Sequence, residues 1–144
     1  MRLILLVFCA LVAGEREASV VYEDERLLGF MDLHPVNPGH VLLVPKEHAT
    51  AMADVDEDTG VHVFRIAMRM QQAIRRSDVR CEGINLFVAD GEAAFQDVFH
   101  FHLHVIPRFE GDPFKIEANW KEAPRSELDR AATGIRTSYE ELWG

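Results

Sequence analysis

The segment His100–Phe109, HFHLHVIPRF, puts histidine at positions 100, 102 and 104 with an apolar residue after each. Side chains alternate across an extended strand, so the three imidazoles share one face while Phe99, Phe101, Leu103 and Val105 share the other. The second set suits a core. The first does not, because three polar rings side by side in a dry interior need many partners. A solvated strand face would carry Thr, Lys or Glu there. The pattern therefore predicts a strand over Phe99–Ile106 whose one face is apolar core and whose other face carries chemistry.

Two chemistries fit three alternate imidazoles. Neutral histidine is a common zinc ligand, and three protein ligands suffice for a catalytic site with an open position. Same-face neighbours on a strand lie roughly 6.6–7 Å apart, however, so one ion for all three is awkward and a ligand such as His40 or His48 would have to replace one. The other chemistry is covalent catalysis at phosphorus. Neutral imidazole is a nucleophile near pH 7, and flanking imidazoles can donate to phosphoryl oxygens where charge develops.

The rest of the chain reads as α+β. Ser19–Tyr22 and Arg26–Met31 are apolar runs parted by Glu23–Glu25, a hairpin signal. HPVNPG (His34–Gly39) is turn chemistry, and His40–Pro45 is a near-continuous apolar strand. Asp54–Arg76 has acid at its start and Arg75 and Arg76 at its end, as a helix dipole prefers. Gly83–Ala89 reads as a fourth strand, with Asp90–Asp97 a loop. Leu128, Ala132, Ile135, Tyr139 and Leu142 form one stripe, predicting a C-terminal helix over about 126–142 that Gly134 weakens. The expected architecture is one domain over 1–144, an antiparallel sheet of about five strands with helices on one side.

Composition narrows the function classes. A net charge of −9 over 144 residues argues against a nucleic-acid surface. Cys9 and Cys81 are the two cysteines, too few for a disulfide framework, which fits a reducing cytoplasm. The start, MRLILLVFCALVA, has the outline of a signal peptide but is short for a spanning helix, and the chain runs from it into the domain without a linker. A cytoplasmic protein with no membrane partner is the expectation.

QDVFHFHLHVIPR (Gln96–Arg108) resembles the signature of the histidine triad family. GFMDLHPVNPGHVLLVPKEH (Gly29–His48) resembles that family's nucleotide-binding segment, and FCALVAGEREASVVYEDE its usual start, so the likeness covers about Phe8 to Arg108. The resemblance implies a homodimeric nucleotide hydrolase or transferase acting on phosphoramidates, dinucleoside polyphosphates or acyl-nucleotides of a purine nucleoside. It implies that His102 attacks the α-phosphorus to form a nucleotidyl-histidine. His100 and His104 would orient the centre and stabilise charge, with His40 behind them fixing a tautomer. Asp32 would bind the ribose hydroxyls, Phe30 and Leu33 pack against the base, Gln96 touch the phosphate or bridging atom, and Asp97 line the leaving-group side. The likeness requires no cofactor.

Several positions depart from the family pattern. Many members hold a structural zinc with Cys-x-x-Cys and two histidines matching His48 and His100. Here Leu6 replaces the first cysteine, so the expectation is no zinc, a surface His48 and a buried Cys9. Ala89 stands where Asn is usual and Phe95 where Gly is usual, which makes substrate choice the open question. A nucleotide-binding module without turnover and a zinc hydrolase are the competing readings. Lys46 and Arg108 are read as solvated or ion-paired, and His34 and His62 as surface residues.

Overall fold

The computed structural model describes the backbone of residues 2–144 and the side chains of 7–144. The N-terminal expectation concerning Met1, and the side chain of Leu6, lie outside the described residues. The chain divides into two compact units, Met1–Phe114 and Lys115–Gly144.

Within the first unit, β1 (Val20–Glu23) and β2 (Leu27–Met31) form the expected hairpin. Asp24 closes its turn: Oδ1 accepts from the N–H groups of Arg26 and Leu27, and Oδ2 accepts from the Tyr22 hydroxyl and His62 Nε2, each at 2.6 Å. His62 is thus paired and largely buried, not a free surface residue, because Asp24 lies across from it. β3 (Val41–Pro45), β4 (Gly83–Phe87) and β5 (Leu103–Arg108) complete an antiparallel sheet in the order β1-β2-β3-β5-β4. Gly39, at φ +93°, lets the turn enter β3; a Cβ there would lie 2.5 Å from Val79 Cγ1.

The helix α2 (Glu57–Arg76) starts three residues later than its acidic run suggests. Asp54 closes a single 3-10 turn over Met52–Asp54, and Asp56 becomes the N-cap by accepting from the Thr59 N–H. Val63, Ile66, Ala67, Met70 and Ile74 of α2 pack on Leu27, Val41, Leu43, Leu103 and Val105. The opposite face, Leu28, Phe30, Leu42 and Val44, is covered by Phe8 of α1 (Arg2–Val12). Helices therefore lie on both faces, not one. The reason is legible in β3, all five of whose residues are buried: a strand apolar on both sides needs two covers.

β5 begins four residues after the predicted start. The Phe101 N–H donates to the carbonyl of Ala49 at 2.6 Å instead of to a strand, so His100 and His102 sit on an extended lead-in. The alternation survives: Phe101, Leu103 and Val105 are core under α2.

In the second unit, α3 (Arg125–Trp143) runs one residue beyond the expected span at each end and continues through Gly134. No described helix is long and apolar enough to cross a membrane.

Candidate active site

The sheet register builds the site. His104 on β5 pairs with Leu42 on β3 and with Phe87 on β4, so it shares its face with Phe30 and Leu42, the face that α1 covers in part. His40 just before β3 and His104 then meet, with Nε2 and Nδ1 2.8 Å apart. His102 lies between His104, at a ring-centroid distance of 4.8 Å, and Phe8, edge-on at 5.0 Å.

Backbone partners assign the protons. His102 Nδ1 lies 2.7 Å from the carbonyl of His100 and must donate to it, so the lone pair of His102 is on Nε2. His40 Nδ1 accepts from the Val36 N–H at 3.1 Å, which places the His40 proton on Nε2, donated to His104 Nδ1. His104 then carries its own proton on Nε2. The bare Nε2 of His102 and the Nε2–H of His104 are thus each set by a partner on the other nitrogen of the same ring.

Burial pushes His40, His100 and His104 below the ordinary imidazole range, His104 to about 4. For His104 the neighbouring His102 and His40 act in the same direction, against the carboxylates of Asp32 and Asp97. All three rings are neutral at pH 7.

His100 is fully buried and has a different task from its two companions. Its Nε2–H donates to the Pro45 carbonyl at 2.8 Å, leaving Nδ1 bare. That nitrogen lies 3.6 Å from Cys9 Sγ and 3.4 Å from His48 Nδ1, with Cys9 Sγ and His48 Nδ1 3.5 Å apart. A tetrahedral zinc ion, with Zn–N of about 2.0–2.1 Å and Zn–S of about 2.3 Å, separates two nitrogens by about 3.3–3.4 Å and nitrogen from sulfur by about 3.5–3.6 Å. The three donors fit that spacing. Cys9 is only partly buried and faces two imidazoles, because His48 and His100 converge on its helix, so it is not an inert core thiol. When bound, a zinc ion would supply a cross-link between α1, the loop after β3 and the lead-in to β5. Asp32, His40 and His104 also cluster, but the 2.8 Å between His40 and His104 is a hydrogen bond and too short for two ligands of one ion.

The other expected residues are distributed as follows. Asp32 does two things: Oδ1 accepts from the His34 N–H, and Oδ2 lies 3.5 Å from His40 Nε2. Phe30 is buried beneath Phe8, whereas Leu33 is exposed. Gln96 does not present free groups to the site. Its Oε1 accepts from the Gly91 N–H, and its Nε2 donates to the carbonyls of Thr50 and Val98, so it clasps the loop before the histidines. Asp97 lines a cavity of about 190 Å³ together with His40, His102 and His104. Ala89 and Phe95, the two departures, are walls of the same cavity. Phe8 was not singled out in the sequence; its signal was its place in the apolar run to Ala13, next to Cys9. A larger recess of about 460 Å³, under Ile66, Met70 and Ile74, has no histidine or carboxylate in its walls. Lys46 pairs with Glu23 at 2.8 Å and Arg108 with Asp112 at 2.6 Å, as read.

The HIT domain family model matches residues 13–111. An HIT-like protein of Borreliella burgdorferi is 38% identical over 109 residues, covering 75% of this chain and 78% of the relative. A HIT family protein from Bacillus anthracis matches with TM-score 0.81 and 36% identity over 92% of this chain and 95% of that one. A zinc-bound histidine triad family protein from Mycobacterium smegmatis matches with TM-score 0.72 and 38% identity over the same shares, 92% and 95%. The fold and the paired imidazoles define a class, the nucleotide-binding hydrolases and transferases with a histidine triad. The chain belongs to the HIT family.

Proposed function

We propose that the protein cleaves purine nucleotide conjugates, nucleoside phosphoramidates or dinucleoside polyphosphates, at the α-phosphorus through a nucleotidyl-histidine. One observation carries the reading. The bond from His102 Nδ1 to the carbonyl of His100 leaves Nε2 as a lone pair beside the cavity. Nε2 forms the new bond to phosphorus while the bond to the leaving group breaks, and the electron pair departs with that group, which takes a proton from solvent. Water then attacks the same phosphorus, the bond from phosphorus to Nε2 breaks with its electron pair returning to His102, and the water's proton passes to solvent as the nucleoside monophosphate leaves. The His104 Nε2–H is placed to donate to a phosphoryl oxygen as charge builds. Leu33, exposed beside Asp32, offers an apolar surface for the base, and Asp32 an acceptor for the ribose diol. Imidazoles alone perform this sequence; an ion on Cys9, His48 and His100 would act as a cross-link.

A homodimer belongs to the same proposal. Val61, Phe64 and Met68 are exposed on the outer side of α2, and β4 is an open sheet edge with Leu86 half-exposed. Such surfaces mark interfaces.

His102→Ala tests the chemistry. Hydrolysis is expected to fall by orders of magnitude with nucleotide binding retained. Near-normal turnover of both an adenosine phosphoramidate and a diadenosine polyphosphate by that variant would refute the reading. A binding module would instead bind nucleoside monophosphate and form no nucleotidyl-enzyme in the unaltered protein.

A further inference from the structure

Resting on that transfer reading, we infer that Phe95, with Phe87 and Phe114, forms a subsite for an aromatic leaving group that is uncharged or cationic, and that Phe95 determines specificity there. Phe95 is the one non-glycine among the described residues at positive φ, 68° with ψ 24°. The left-handed region is strained for a residue with a Cβ, and glycine reaches it freely. The residue is 83% exposed, so folding recovers little from it. The hydrogen bonds of the loop hold the conformation, with one tie to the Thr50 carbonyl from Gln96. The Phe95 N–H donates to Glu92 O, the Gln96 N–H donates to Gly91 O, and the Gln96 amide clasps the loop from Gly91 to Val98. A strained, exposed aromatic that the fold does not need stands on the wall of the cavity that holds His102 and His104.

The other ring walls are fixed. Phe114 lies under the Arg108 guanidinium at 4.7 Å, and its carbonyl accepts from Arg108 at 2.6 Å. Arg108 is held in turn by both oxygens of Asp112. Phe87 stands edge-on to His104 at 5.8 Å. Val36 and Ile106 add aliphatic surface. Three rings and two aliphatic groups suit a planar aromatic group.

Charge separates the candidate leaving groups. Asp97 is the charged residue among the described walls, none of which is Lys or Arg. Lys46 and Arg108 are engaged by Glu23 and Asp112. A polyphosphate arm would therefore meet a carboxylate and no free cation, while an aromatic amine would meet ring faces and a carboxylate that favours its protonated form. The geometry selects an aryl-bearing phosphoramidate over a dinucleoside polyphosphate.

The test compares kcat/KM for three substrates of one nucleoside: an aromatic-amine phosphoramidate, an aliphatic-amine phosphoramidate and a dinucleoside polyphosphate. The unaltered protein is expected to favour the first. The aromatic-to-aliphatic ratio is expected to fall roughly three- to tenfold in Phe95→Gly and in Phe95→Asn, both compatible with the left-handed backbone, and to persist in Phe95→Tyr. Thermal midpoints of the Gly and Asn variants at or near the unaltered value verify that they fold. A ratio unchanged in both variants overturns the inference and leaves the transfer reading standing, as does a clear preference for the dinucleoside polyphosphate. No turnover of any of the three overturns the transfer reading and this inference together.

Discussion

His40 donates from Nε2 to Nδ1 of His104 across 2.8 Å, while its own Nδ1 is filled by the N–H of Val36. This chain of two bonds begins at a backbone amide and ends by deciding that the free nitrogen of His104 carries a proton. His40→Ala removes the donor and lets His104 adopt either tautomer. The expected result is a fall in kcat of roughly 10- to 100-fold, the range for loss of an orienting partner of an imidazole, with KM little changed. His40→Gln, which restores a donor, should recover part of it. A KM effect with intact kcat would contradict the assignment.

Acid should destabilise the fold before carboxylates titrate. His40, His100 and His104 are held neutral in the folded chain, with values lowered by burial, whereas in the unfolded chain they titrate near 6.5, the ordinary imidazole value. Below 6.5 the unfolded state takes up protons that the folded state refuses, so stability is complete above that pH and falls as pH drops toward about 4, the His104 value. Asp24 and Asp112, whose values are lowered, add a loss at lower pH. Thermal midpoints at pH 7.5, 6 and 5 should decline across the series; a flat profile would count against the burial argument.

Zinc, or cobalt as its spectroscopic substitute, should raise the thermal midpoint and give a sulfur-to-metal charge-transfer band. Cys9→Ser should abolish the band, and His48→Ala should weaken binding, because each removes one of three donors at coordination spacing. Chelation should lower the midpoint while sparing hydrolysis measured below that temperature. Loss of hydrolysis in the still-folded, metal-free protein would favour a zinc hydrolase.

Asp112 is 8% exposed and accepts from Arg108, Asn37 and the N–H groups of Phe109 and Phe114. Asp112→Ala strands a guanidinium and the side chain of Asn37, itself 2% exposed. A lower denaturant midpoint is expected, because these donors lose their acceptor. Asp112→Asn, which keeps some of the hydrogen bonds, should cost less.

The exposed α2 surface gives a separate check on assembly. Phe64→Asp puts a charge at the centre of the stripe formed with Val61 and Met68, and should shift a dimer toward monomer in sedimentation. No change in mass would place the interface elsewhere.

Much of the fold was legible because the signals are local. The Glu23–Glu25 break, the acid-to-base polarity of α2 and the alternation through His104 are properties of neighbouring residues. What failed was governed by distant partners. The start of β5 moved because Ala49, far back in the chain, takes the Phe101 N–H. The second helical layer was missed because α1 earns its place by seating Phe8 on Phe30.

The site divides in the same way. Sequence alone determined that three imidazoles share one side, since strand alternation allows nothing else, and that Leu6 supplies no second thiol beside Cys9. Tertiary structure decided what each imidazole does. His100 turns its ring to Pro45, Cys9 and His48, and its carbonyl to His102; His40 returns from before β3 to set His104. Gln96 faces the loop and not the cavity, and Phe95 is forced into a glycine's conformation on the cavity wall. Ring orientation and proton position depend on which carbonyl or amide lies across the fold, and no spacing within one strand carries that information.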